Sequence, residues 1–135
     1  MDRFRSGHHA SKDSGRWGED KAAAYLRKNG YRILGQRIRT AQREEIDLIA
    51  ATDDTLVFVE VKTRADESFG RPFDAVTRTK RLQLTRAAAH YIKRLRRPPI
   101  YIRFDVVEVI GEPGETSPEV RHLENAFPPE AGYRI

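Results

Sequence analysis

The spacing of apolar residues changes period several times along the chain, and each change marks an element. Residues 1–13 are polar and show no apolar period, so they read as a flexible tail before a single domain over 14–135. Ser14 offers an N-cap, Ala22, Ala23 and Leu26 follow at helical spacing, and Asn29-Gly30 is a stop signal; together they predict a helix over about 15–29. Residues 31–40 alternate as a strand, with Tyr31, Ile33 and Ile38 apolar. Residues 44–51 and 55–64 predict two more strands, and the polar turn Thr52 to Thr55 joins them as a hairpin. A loop over 65–73, with Gly70 and Pro72, leads into a long helix over about 74–96. That helix has an apolar stripe of Leu84, Ala88, Tyr91 or Ile92, and Leu95, and Pro98-Pro99 ends it. Residues 100–110 form a strongly apolar strand, and a short strand is expected around 119–124. The order α-β-β-β-α-β-β predicts an α/β domain, a central mixed sheet packed against helices.

Composition narrows the compartment and chemistry. A chain of 135 residues suits one hydrophobic core. No apolar run approaches the roughly 20 residues that cross a bilayer, so no membrane partner is expected. The first residues lack the apolar segment of a secretory signal, which makes the cytoplasm the default location. The absence of cysteine removes disulfides, thiolate metal sites and a cysteine nucleophile. Charge is distributed in blocks: a net +7 over 1–43, −6 over 44–77, +9 over 78–103 and −5 over 104–135. A basic surface suits a polyanion such as nucleic acid, and an acidic patch within it suits a cation. Charge alone supports equally the solvated faces of unrelated elements.

The hairpin sharpens the question, because Asp47, Glu60 and Lys62 interrupt the most apolar runs of the chain. Strand alternation puts Leu56, Phe58, Glu60 and Lys62 on one face and Val57, Val59 and Val61 on the other. If Ala51 pairs with Leu56, Asp47 falls opposite Glu60 and Glu45 opposite Lys62. Directly opposed Cβ atoms lie about 4.5–5.5 Å apart, and two carboxylates that close repel, more so where water is excluded. A proton on one carboxylate, a bridging lysine or a divalent cation would each relieve the pair, and the oxygen ligands suit a hard cation such as Mg²⁺ or Mn²⁺. The competing reading is a surface hairpin whose charges face water; a strand apolar on both faces argues against it, since such strands are central. Glu19 heads the apolar stripe of the first helix and faces the same choice. It is either a first-turn glutamate favoured by the helix dipole or a third carboxylate. His8, His9, His90 and His122 are scattered and read as non-catalytic, and no Gly-rich phosphate loop or nucleophile elbow is present.

Asp47 followed by Glu60-Val61-Lys62 after a hairpin turn resembles the D…(D/E)-x-K signature of the PD-(D/E)XK nuclease superfamily. More closely, the chain resembles the YraN-like family of small bacterial predicted endonucleases. The matching pieces are "GEDKAAAYLRKNGYRIL" (18–34), "EIDLIA" (45–50), "LVFVEVKTR" (56–64), "FGRPFDAVTRTKRLQLTRAAAHYI" (69–92), "RFDVVEV" (103–109) and "HLENAF" (122–127). The D…ExK pattern is short; the ordered set is the specific signal. The chain departs from the family pattern at Glu44, where glycine is usual, and at Arg37-Ile38-Arg39, where the family has N-x-R. Ile46 stands where the superfamily name has proline, and Gln83 is followed four residues on by Ala87 rather than tyrosine.

The resemblance implies a restriction-endonuclease-like fold and relatedness to Holliday-junction resolvases. It implies a metal-dependent endonuclease that hydrolyses DNA phosphodiester bonds and leaves a 5′-phosphate, with branched or damaged DNA as the substrate class. Asp47 and Glu60 would hold Mg²⁺ or Mn²⁺, joined by the carbonyl of Val61 and by Glu19, and Lys62 would be the catalytic lysine. Arg64, Lys80, Arg81 and Arg86 are the candidates for phosphate contacts, the last three on a basic helix that equally suits a solubilising face. A junction resolvase needs two sites and hence a homodimer, although no segment announces an interface. The alternative is a non-catalytic nucleic-acid-binding module that keeps the fold.

Overall fold

The computed structural model describes residues 3–130, with side chains described from Ser14 onward. Its elements follow the predicted order: α1 (Arg3–Lys28), β1 (Arg32–Arg39), β2 (Glu45–Thr52), β3 (Thr55–Arg64), a 3-10 turn (Pro72–Ala75), α2 (Arg78–Lys93), β4 (Tyr101–Ile110) and β5 (Glu119–Leu123). Two helix starts differ from expectation. Helix α1 is not capped at Ser14 but runs back to Arg3; no proline interrupts this stretch, and each residue added to an existing helix gains a backbone bond. Residues 1 and 2 of the expected tail, and the C-terminal 131–135 of the expected domain, lie outside the described residues. Helix α2 starts at Arg78 rather than near 74, because Thr77 is in extended conformation and its side chain accepts the Lys80 N–H as an N-cap. The preceding segment forms a separate turn begun by Pro72.

The strands make one five-stranded sheet in the order β1-β2-β3-β4-β5. Pairings are antiparallel except for β3 with β4, which are parallel and joined through α2. The α/β class, the mixed sheet and the flanking helices agree with a restriction-endonuclease-like arrangement. The hairpin takes the expected register, with Ala51 paired to Leu56 and Leu48 to Val59.

Each face of the sheet carries its own core. On the α1 side, Ala22, Ala23 and Leu26 pack against Leu48, Ala50, Val57, Val59, Val61, Val107 and Val109. On the α2 side, Leu84, Ala87 and Ala88 pack with Ile46, Ile49, Phe58, Phe104 and Phe127. Phe104 stacks on Phe127 at 5.4 Å between ring centres. Burying side chains of this size contributes roughly 1.5–3 kcal/mol each, and the central strand β3 is buried on both faces. Two buried carboxylates lie on the neighbouring strand β4. Asp105 accepts from Arg103 Nε (2.8 Å), His122 Nε2 (2.6 Å) and the Asn125 N–H (2.9 Å). Glu108 accepts from Arg71 Nη2 (3.0 Å) and the Phe73 N–H (2.8 Å). Among the described residues no helix is long and apolar enough to cross a membrane.

Candidate active site

The sheet forks between β2 and β3. Their pairing ends at Leu48–Val59. Beyond it, β2 stays on β1 as far as Arg39–Glu45, and β3 stays on β4 as far as Arg64–Ile110. At the fork the alternation of β2 breaks. Leu48 packs in the α1-side core, yet Ile46, two residues away, packs in the α2-side core with Ile49. Residues two apart share a face in a regular strand, so a local distortion is centred on Asp47. Its side chain spans the fork instead of lying on a face: Oδ2 accepts the Val61 N–H at 2.9 Å. This corrects the expectation of a continued ladder. Asp47 does meet the Glu60 region, but by filling the gap between strands, and Glu45 pairs with Arg39 of β1 (3.6 Å) rather than standing against Lys62.

Glu60 is buried and gathers two ammonium groups on one oxygen. Lys62 Nζ lies 3.1 Å and Lys80 Nζ 3.7 Å from Oε2. Lys80 arrives from the first turn of α2, so the second helix contributes directly to the site. Asp47 is held in a different electrostatic state. Burial, then the nearby Glu60 charge, push its pKa up to about 8, against the opposing pull of the Val61 N–H. The pair therefore keeps an unmet demand for positive charge even with two lysines at hand.

These groups line an open polar cleft of about 420 Å³ together with Glu19, Thr63, Arg64 and the backbone of Val61. Glu19 reaches the cleft because Gly18 lets α1 lie directly on β3; a Cβ at Gly18 would sit 1.9 Å from Thr63 Oγ1. Burial raises the Glu19 pKa, opposed by its hydrogen bond to Arg37 Nη1. Arg37, in the left-handed region at φ 49°, lies between the β1–β2 pairs that flank Asp47. Arg64 is exposed on the cleft wall. Arg86 lines an adjoining cavity of about 250 Å³ that shares Glu60 and Lys80 with the main cleft. Arg81 lines neither; its guanidinium faces Glu130 (3.5 Å). The structure thus brings Glu19, Asp47, Glu60, Val61, Lys62, Arg64 and Lys80 together, with Arg86 beside them and Arg81 apart.

Sequence reasoning did not find Gly18 or Arg37, nor a role for Glu44. Glu44 Oε1 accepts from Thr40 Oγ1 (3.0 Å) and contacts His90 Nδ1 (2.6 Å), which ties the β1–β2 turn to α2. A glycine inside a helix, directly before the glutamate that heads its apolar stripe, was the available signal for Gly18. Nothing local could have linked Arg37 to Glu19 or Glu44 to His90.

The donor set fits a hard divalent cation held partly by other oxygens. Among the described residues no three His, Cys, Asp or Glu side chains form a metal cage by themselves. Mg²⁺ is ordinarily held by one or two carboxylates, with waters and substrate phosphate completing its octahedron. Asp47 and Glu60 supply two carboxylates, and burial first and the Glu60 charge second raise the Asp47 pKa. Glu19, occupied by Arg37, is near enough to raise Asp47 further but is not a free third donor.

The model of a family described as "Uncharacterised protein family UPF0102" matches residues 18–109, a span that holds the cleft residues from Glu19 to Arg86. The chain is similar to a UPF0102 protein of Syntrophomonas wolfei, 44% identical over 117 residues that cover 87% of this chain and 99% of the relative. It is similar also to UPF0102 proteins of Symbiobacterium thermophilum, 46% identical over 118 residues (87% and 98% covered), and Caldicellulosiruptor saccharolyticus, 40% over 116 residues (86% and 98%).

Proposed function

We propose that this chain, which belongs to the uncharacterised family UPF0102 of YraN-like proteins, is a metal-dependent endonuclease that hydrolyses phosphodiester bonds of DNA. The observation that carries the proposal is the fork. A structural ion pair would have no need to break strand alternation, whereas Asp47 leaves both faces of the sheet to bond the Val61 N–H beside Glu60 and Lys62. Asp47 and Glu60 would hold Mg²⁺ or Mn²⁺, with the Val61 carbonyl as a further oxygen donor, and Glu19, which is paired with Arg37, would reach the cation only through a water. Such a cation supplies Lewis acidity toward a phosphate oxygen and lowers the pKa of water bound beside it.

The remaining work falls to the chain's own groups. The Val61 N–H fixes the orientation of the Asp47 carboxylate. Lys62 brings a compact charge on a flexible stem, which orients the attacking water or offsets charge that builds on the phosphate. Lys80 reaches the same Glu60 oxygen from α2, where it would meet a phosphate oxygen as the nucleic acid enters. Arg64 and Arg86 extend the basic track on either side, giving salt-sensitive and sequence-tolerant affinity. In-line attack leaves a 5′-phosphate, as in the nucleases the motif resembles.

The test is cleavage of duplex, flapped, gapped and four-way DNA by purified protein with Mg²⁺ or Mn²⁺. Glu60→Ala and Lys62→Ala are expected to abolish cutting, while wild-type rates in either variant would remove the site from consideration. Salt-sensitive binding without cutting under every metal would favour the alternative, a nucleic-acid-binding module that keeps the fold.

A further inference from the structure

We propose that Phe69 is a base-stacking residue of this site, so that the preferred substrate carries an unpaired or unstacked base close to the scissile phosphate; this rests on the nuclease reading above. Phe69 is 104% exposed, an aromatic ring with no packing partner. A single exposed apolar residue is ordinary on a protein surface, so exposure carries the inference only together with the loop's stiffness and position.

The loop after β3 is pinned on both sides of Phe69. On one side Asp66 Oδ1 accepts the Ser68 N–H (2.9 Å), and Glu67 pairs with Arg121 Nη2 (2.5 Å). On the other, Gly70 turns the chain at φ 103°, its N–H bonded to the Glu67 carbonyl (3.1 Å). Arg71 then donates to Glu108 (3.0 Å), a fully buried carboxylate that also accepts the Phe73 N–H. A side chain presented by a pre-ordered loop loses little further freedom on binding. The ring is therefore held out to solvent by contacts that do not involve it.

Position adds the chemistry. The loop leaves directly from the cleft wall at Arg64 and Ala65. Phe69 is the fifth residue after Arg64, a reach of at most about 17 Å, or about five base steps at the 3.4 Å spacing of one strand. The exposed Ile100 and Tyr101 lie at the other end of β3, where Tyr101 pairs with Thr55. An aromatic ring on a loop that leaves a cleft bearing Lys62, Arg64 and Lys80 is a combination that holds single-stranded bases, because every base offers a π-face whatever its identity. Paired bases inside a duplex do not expose that face, so the ring selects for nucleic acid shape and not for sequence.

The experiment compares wild type, Phe69→Ala and Phe69→Trp on duplex, gapped and flapped DNA of one sequence with Mg²⁺, together with fluorescence quenching of 2-aminopurine placed near the branch. Phe69→Ala is expected to lose about tenfold or more in binding and cutting of gapped and flapped DNA, to leave duplex cutting within about twofold, and to lose the quenching. Phe69→Trp should keep both. Equal behaviour of wild type and Phe69→Ala on every substrate overturns the inference while leaving the nuclease reading standing. If the wild-type protein neither binds nor cuts any of the substrates, the nuclease reading fails and this inference falls with it.

Discussion

Replacing Asp47 with asparagine is expected to stabilise the metal-free protein while destroying its activity. Asparagine has nearly the same shape. Its amide oxygen can still accept the Val61 N–H, and its amide nitrogen can donate toward Glu60, so the substitution removes a negative charge without opening a cavity. In wild type the Asp47 pKa is raised, first by burial and then by Glu60, from 3.8 to about 8. The sign follows from linkage: a carboxyl with a raised folded pKa favours the fold while protonated, and stability falls as pH rises from about 4 toward 8. At pH 7.5 nearly four units of that window have been crossed, each worth about 1.4 kcal/mol. Water entering the open cleft screens part of this repulsion, which leaves about 2–3 kcal/mol. For a domain of this size that corresponds to a rise in melting temperature of about 10 °C. The assay is thermal unfolding in EDTA at pH 7.5 and again near pH 4, where the difference between Asp47→Asn and wild type should shrink to nothing. Adding Mg²⁺ should then raise the wild-type melting temperature and not that of the variant, since a ligand stabilises only the form that binds it. A variant that melts below wild type in EDTA at pH 7.5 would refute the reasoning, because it would make Asp47 a structural ligand of Val61 and not half of a repelling pair.

Two further expectations concern how the scaffold holds the site. Gly18→Ala places a methyl group against Thr63 Oγ1, a short β-branched side chain that cannot swing away; the helix gains from alanine, but overpacking of this kind costs about 1–3 kcal/mol and moves Glu19, so both melting temperature and cleavage rate should drop, with partial recovery in the Gly18→Ala, Thr63→Ala double variant. Asp105 is held below the usual carboxylate range because bonds from His122, Arg103 and Asn125 outweigh the burial that would raise it; its contribution is present above about pH 4 and is lost as pH falls further, so wild type should lose stability below that point more steeply than Asp105→Asn, which should itself be about 3 kcal/mol weaker at pH 7 by denaturant unfolding, and parallel acid profiles would count against this role.

Sequence by itself determined the element order and the strand boundaries to within a residue or two, and offered the register of the β2–β3 hairpin as a condition that the structure met. These follow from local physics: the two-residue period sorts Val57, Val59 and Val61 from Phe58 and Glu60, and a turn of four residues leaves little freedom in pairing Ala51 with Leu56. The same locality made Asp47, Glu60 and Lys62 visible as charges where apolar side chains belong. Only the tertiary structure decided what those charges do. A period cannot report where it breaks, so the turn of Asp47 into the fork was not legible: it lies where β2 keeps only β1 as a partner and β3 only β4. Contacts between distant segments were equally hidden. Lys80 shares the Glu60 carboxylate with Lys62 because α2 packs across the sheet. Glu19 enters the cleft because one missing Cβ lets α1 rest on Thr63. Phe69 stands in water because Glu108, nearly forty residues away, fixes the loop that bears it.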